Sequence, residues 1–140
     1  MSPDLFDIQV ALVERMRNES LLMSRVSGVY DYVPDDAQYP YVVVDQLNAV
    51  RDGMISQSSS LSIQQLLTAL STDDASEKGF RQVREIGSCL IALFEARPLI
   101  VTGWASGLKR QLQTAIAAAS IRRVDDKLRA ALVTVQIFGF

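Results

Sequence analysis

Val29-Tyr30-Asp31-Tyr32-Val33-Pro34, a short polar stretch, and then Tyr39-Pro40-Tyr41-Val42-Val43-Val44-Asp45 form the most informative part of this chain. β-Branched and aromatic residues dominate both runs, which suits a pleated, half-buried surface. The pattern predicts two adjacent strands separated by a loop through Asp35-Asp36-Ala37-Gln38. Pro40 fits a strand start or a sheet edge, because proline gives no N–H to a ladder. Tyr30 and Tyr32, like Tyr39 and Tyr41, are two residues apart, so each pair is expected to share a strand face.

Upstream, Ser2-Pro3-Asp4 is a helix start: a capping hydroxyl, a proline at the first helical position and an acidic residue at the positive end of the dipole. Leu5, Ile8, Leu12 and Met16 recur at helical spacing, predicting an amphipathic helix from Pro3 to Asn18. Ser20 begins a short second turn through Leu21, Leu22 and Met23. Downstream, Leu47 to Ser60 turns polar and reads as a loop, with Met54 and Ile55 as apolar residues inside it. Leu61 to Leu70 is read as a strand. Asp74 and Glu77 have the spacing of a capping box. They precede a second amphipathic stripe of Phe80, Val83, Leu90 and Phe94, ended at Arg97-Pro98. Leu108 to Ile121 fits either an alanine-rich helix or a long strand. Asp125-Asp126-Lys127 is a turn. Ala131, Val133, Val135 and Ile137 alternate with Leu132, Thr134, Gln136 and Phe138, a strand apolar enough on both faces to be covered on both, by helices or by another subunit. The resulting order predicts one α+β domain over residues 1–140, a mainly antiparallel sheet of about four to five strands with two helices on one face.

Composition narrows the function. The chain has 140 residues, no histidine and one cysteine, Cys89. That removes the commonest general base and metal ligand, an intrachain disulfide, and any multi-thiolate zinc site. Lys+Arg number 14 against Asp+Glu 16, for a net charge of −2, which is not the basic footprint of a phosphate-gripping protein. No apolar run approaches the roughly 20 residues of a membrane span, and no secretory leader is visible, so a soluble, intracellular product is expected. No cofactor is expected either. The apolar share of 49% is high for a small domain, which points to surface covered by neighbouring subunits.

Each chemical reading has a plainer one beside it. Asp31, Asp35, Asp36 and Asp45 are better explained as turn and strand-end residues than as an acid–base pair or cation site. Four tyrosines resemble a base-stacking platform, but no basic residues are interleaved with them, so sheet packing explains them better. Lys109, Arg110, Arg122, Arg123, Lys127 and Arg129 concentrate positive charge in the last third, read as a solvated hairpin face. Cys89 lies beside the second helical stripe as a packing residue. Trp104, between Gly103 and Gly107, is a contact anchor or a core cap.

Taken together, the "VYDYVP" run, the polar loop and the "YPYVVV" run resemble the tail-completion proteins of long-tailed phages, also called tail terminator or tail-to-head joining proteins. Tyr30, Asp31, Pro34, Pro40, Tyr41 and Val43 carry that resemblance. The family layout of helix, two signature strands, polar loop, strand, helix and closing hairpin is followed along nearly the whole chain. Two departures stand out: Gly103 to Asp125 is longer and richer in alanine, and the family's aspartate-glycine hairpin turn is here Asp125-Asp126-Lys127. The resemblance implies a non-enzymatic virion protein, made in the bacterial cytoplasm, that forms a ring, usually of six copies, on the tail tube and meets the head connector or stopper. On that reading Arg51, Asp52, Met54, Ile55, Trp104, Phe138 and Phe140 are the candidate subunit and partner contacts. A head-side neck adaptor, and a small oligomeric ligand-binding α+β domain, are the competing readings.

Overall fold

A computed structural model of the chain describes residues 5–52, 60–72, 80–95, 97–103 and 107–138. Three helices and six strands follow in the order α1 (Leu5–Arg17), α2 (Ser20–Met23), β1 (Gly28–Tyr30), β2 (Tyr41–Asp52), β3 (Ser60–Thr72), α3 (Arg81–Phe94), β4 (Leu99–Thr102), β5 (Lys109–Arg123) and β6 (Leu128–Phe138). The strands form one sheet in the order β1-β2-β3-β6-β5-β4. The α+β class holds, but the sheet has six strands and is mixed, because β1 runs parallel to β2. A parallel pair needs a crossover rather than a tight turn. Residues 31–40 provide it, and the two signature strands are adjacent as expected, but parallel.

Helical spacing places the core. Ile8, Leu12 and Met16 of α1, and Val83, Ile86, Leu90 and Phe94 of α3, are fully buried. Helix α3 packs over β3, β5 and β6, and α1 over β1 and β4. On the strands beneath, Ile63, Leu67, Val133, Val135 and Ile137 point into the same core. Gly87 faces β6, where a Cβ would stand 3.4 Å from the Ala131 methyl, ordinary contact distance.

Polar side chains tie the elements to the core. The Arg17 guanidinium donates from Nη2 to the Val29 carbonyl at 2.7 Å, fixing the end of α1 to β1. Arg15 donates to the carbonyls of Arg97, at 3.1 Å, and Pro98. Its guanidinium also lies 5.8 Å from the centre of the Phe94 ring. Burial lowers the pKa of Arg15, with Arg97 nearby adding to the shift. The buried Thr114 hydroxyl donates to Phe94 O at 2.8 Å and also reaches Arg97 O. Thr114 thereby satisfies the Phe94 carbonyl, one of the orphan acceptors at the end of α3.

Three expectations change. Residues 47–52 are strand rather than loop: β2 continues to Asp52, with a bulge between Val44 and Leu47. Gln65, almost fully buried, fills that bulge by donating from Nε2 to Asp45 O at 2.8 Å and Leu66 O at 3.0 Å. The polar Gln46 and Asn48 are compatible with a strand because both are exposed. Residues 109–123 resolve as strand β5, since pairing with β6 overrides the helical preference of the alanines. Strand β4, with Leu99 and Val101 buried and Ile100 and Thr102 exposed, was not anticipated. The first helix spans Leu5–Arg17, and Pro3 with the Asp74–Glu77 capping box lies outside the described residues.

Candidate functional site

The signature residues build the fold rather than a reactive site. Tyr30 meets Tyr41 edge-on with ring centres 5.8 Å apart, and Tyr39 stacks on Tyr41 at 5.1 Å. Tyr32 stands apart at 82% exposure, so it does not share a strand face with Tyr30 as alternation suggested: the chain bends at Asp31 before Tyr32 is reached. Burial, together with the neighbouring phenols of Tyr39 and Tyr30, raises the Tyr41 pKa. Asp31 accepts from the Tyr32 amide at 2.8 Å and from Gln9 Nε2 at 3.0 Å, a turn-stabilising role. Pro34 O accepts from the Ala37 amide at 3.1 Å. Pro40 follows a cis peptide bond, and its carbonyl accepts from both the Ser27 amide at 2.8 Å and the Ser27 hydroxyl at 2.9 Å. Val43 pairs with Tyr30 on one side and Thr68 on the other. Asp45 accepts from the Thr68 hydroxyl at 3.2 Å. Among the described residues no group of three or more acidic or thiol side chains is placed to hold a metal ion.

The basic residues of the last third do not form one face. Lys109 and Arg122 sit near opposite ends of β5, about 43 Å apart along an extended strand. Arg122, Arg123 and Lys127 are exposed around the β5–β6 hairpin, while Arg129 is buried, 5.2 Å from the Phe80 ring centre, with Nη1 donating to Asp126 O at 3.2 Å. The hairpin turn itself is held by Asp125, whose Oδ1 accepts from the amides of Lys127 and Leu128, both at 2.8 Å. Those two bonds hold its carboxyl below the ordinary carboxylate range.

What the structure leaves open is the other side of the sheet. On β6 the inward residues Val133, Val135 and Ile137 are buried, whereas Leu132, Thr134 and Gln136 are half-exposed. Register carries the pattern across: Gln64 lies opposite Gln136, Leu66 opposite Thr134, and Thr68 opposite Leu132. Ala115 and Ser120 extend the same face onto β5. This face is built of amides, hydroxyls, leucine and alanine, and its two central strands, β3 and β6, place no charge on it. A shallow depression of about 120 Å³ within it is lined by Gln46, Asn48, Gln64, Leu66 and Thr134. On the helical side, a groove of about 360 Å³ runs between α2 and α3, with Leu21, Ser88 and the half-buried Cys89 in its lining and the Arg25–Glu85 ion pair, 2.6 Å, at its rim.

The candidate contact residues are scattered about this frame. Arg51 and Asp52 end β2, paired with Leu61 and Ser60. Phe138 ends β6 opposite Gln113 and is 39% exposed. Met54, Ile55, Trp104 and Phe140 lie outside the described residues. No described helix is long and apolar enough to cross a membrane.

Comparison with known proteins gives this frame a family. Residues 10–138 match the model of the tail completion protein gp17 family. Among solved structures, a chain of the "Virion of native gene transfer agent (GTA) particle" superposes with a TM-score of 0.73 at 17% sequence identity, covering 93% of this chain and 92% of that one. At that identity the likeness speaks for the fold. No curated protein matches the chain significantly. Since the family model spans nearly the entire sequence, the chain belongs to the tail completion protein gp17 family, a family of structural proteins of the phage tail rather than of enzymes.

Proposed function

We propose that this chain forms a ring, of six copies, that ends the tail tube at its full length and presents a surface to the connector or stopper proteins of the head. Residues 1–140 act there as one unit, located at the tail end of the virion after synthesis in the host cytoplasm. Family membership sets the class of role. The observation that favours assembly through this chain's own surface is the open sheet face, uncharged across its centre, in the row from Gln64 and Gln136 to Thr68 and Leu132. Interface cores are depleted in charge, and a half-apolar face of this kind is costly to leave in water when a partner can cover it.

Residues 53–59, which join β2 to β3, are the second contact in this reading, with Arg51 and Asp52 at the end of β2 beside them and Met54 and Ile55 as apolar anchors against the tube. Trp104, Phe138 and Phe140 are proposed as subunit contacts. Negative-stain images of tails made without this protein test the role. Tails of uncontrolled length, unjoined to heads, are expected; tails of normal length joined to heads contradict it.

A further inference from the structure

The long edges of the sheet are unevenly protected. Strand β1 pairs only with Tyr41–Val43, so β2 beyond Val43 has no strand on its outer side among the described residues. Strand β4 pairs only with Lys109–Leu112, leaving the outer edge of β5 without a strand from Gln113 onward among the described residues. From residue 117 to 123 every β5 side chain is exposed, on both faces. The run Thr114-Ala115-Ile116-Ala117-Ala118-Ala119-Ser120-Ile121 carries no charge and no proline. Natural edge strands are usually blunted by charges, prolines or shortness, and a long uncharged edge invites strand pairing. This one is blunted only by the bulge between Ile116 and Ala118.

The two open edges are matched in direction. Strand β2 is antiparallel to β3, β3 to β6, and β6 to β5, so β2 and β5 run in opposite directions. When copies repeat by rotation, β5 of one copy therefore meets β2 of the next as an antiparallel pair. Val43, Thr68, Leu132 and Ser120 lie in one row across the sheet. In that frame β1 closes the row of Val43 and those below it, and β4 closes the rows beyond Gln113 at the opposite end. Sliding one copy along the strands by about four residues, roughly 13 Å, brings Arg123 level with Val44 and clears both obstructions. Closing a sheet into a barrel requires such a stagger.

We infer that the seam between subunits is a β-ladder, in which the outer edge of Ala117–Arg123 in one copy pairs antiparallel with Val44–Val50 of the next copy. This inference rests on the ring reading above and names its contact. The ring then closes as a continuous sheet in which each copy contributes β2, β3, β6 and β5, and the exposed alanine run is the strand that finds its partner on assembly. From Ala117 to Ser120, alanine and serine keep the approach free of bulky or charged side chains.

Amide hydrogen exchange on the full-length protein in its assembled ring, purified or on tails, reads the ladder directly. Successive amides of an edge strand point alternately inward and outward. The outward amides of 117–123 and 44–50 are expected to exchange on the order of 100-fold more slowly in the ring than in dilute monomer or relative to their intrinsic rates. A ring in which those amides exchange at intrinsic rates overturns the seam while leaving the ring intact. A protein that is monomeric at every concentration and absent as a ring from tails overturns the ring reading and the seam with it. Ala118→Pro and Ala119→Pro separate the two amide directions: the variant at the outward amide is expected to keep the monomer's circular dichroism and lose the ring. Two folded variants that both still form rings contradict the ladder.

Discussion

Strands β3 and β6 carry two faces made from alternate residues of the same chain, and the two faces obey different rules. On the covered side, Ile63, Leu67, Val133, Val135 and Ile137 fill the space beneath α3 and are excluded from water. On the open side, Gln64, Thr68, Thr134 and Gln136 share the surface with Leu66 and Leu132, neither polar enough for a purely solvated face nor apolar enough for a core. The covered face accounts for folding. In the proposed reading the open face, together with the bare edge of β5, is the surface used for assembly.

That contrast can be broken by substitutions on either side. The largest loss of stability is expected from Leu90→Ala, which empties a site fully buried between α3 and the sheet. Such a truncation costs about 2–5 kcal/mol, readable as a fall in the urea midpoint with little change in slope. Gln65→Ala comes next, because it removes the donor to the Asp45 carbonyl in the bulge and to the Leu66 carbonyl on β3. Losing these part-buried bonds costs about 1–3 kcal/mol, and the same urea titration checks it.

A smaller, pH-dependent effect is expected at the β5–β6 hairpin. The folded-state pKa of Asp125 is lowered from its ordinary 3.8 by the Lys127 and Leu128 amides. A lowered carboxylate contributes stability that is complete above its unfolded pKa and is lost as pH falls through the folded value. Acid titration of stability should therefore show a loss beginning below about pH 4, and Asp125→Asn should remove that component. Least of all, Thr134→Lys on the open face should move monomer stability by no more than about 0.5 kcal/mol. A fall as large as that of Leu90→Ala would show that the two faces are not separable.

Much of this was legible in the residues. The helical stripes of α1 and α3 place the covered face, because a 3.6-residue period leaves one solution for what points inward. Tyr30, Asp31, Pro34, Pro40, Tyr41 and Val43 mark the family, although Tyr30 and Tyr41 meet across a parallel pair that alternation alone does not distinguish from an antiparallel one. The extension of β2 to Asp52 was hidden by Gln46 and Asn48, whose polarity reads as loop until the open face is known to accept it. Residues 109–123 stayed ambiguous because alanine favours a helix locally and only the distant partner β6 decides otherwise. The short Leu99–Thr102 strand carried a signal, three β-branched residues after Pro98, that its length made easy to pass over. The candidate surface was least legible, since an open face is defined by what does not cover it, and that is known only once the helices are placed.

Particle assembly by the Thr134→Lys chain tests the separation of the two faces most directly. Purified variant and parent should share circular dichroism and urea midpoint, while tails made with the variant should fail to end and join as they do with the parent. Joined particles at the parental yield, from a protein carrying a lysine at the centre of that face, would contradict the assignment of the open sheet to assembly.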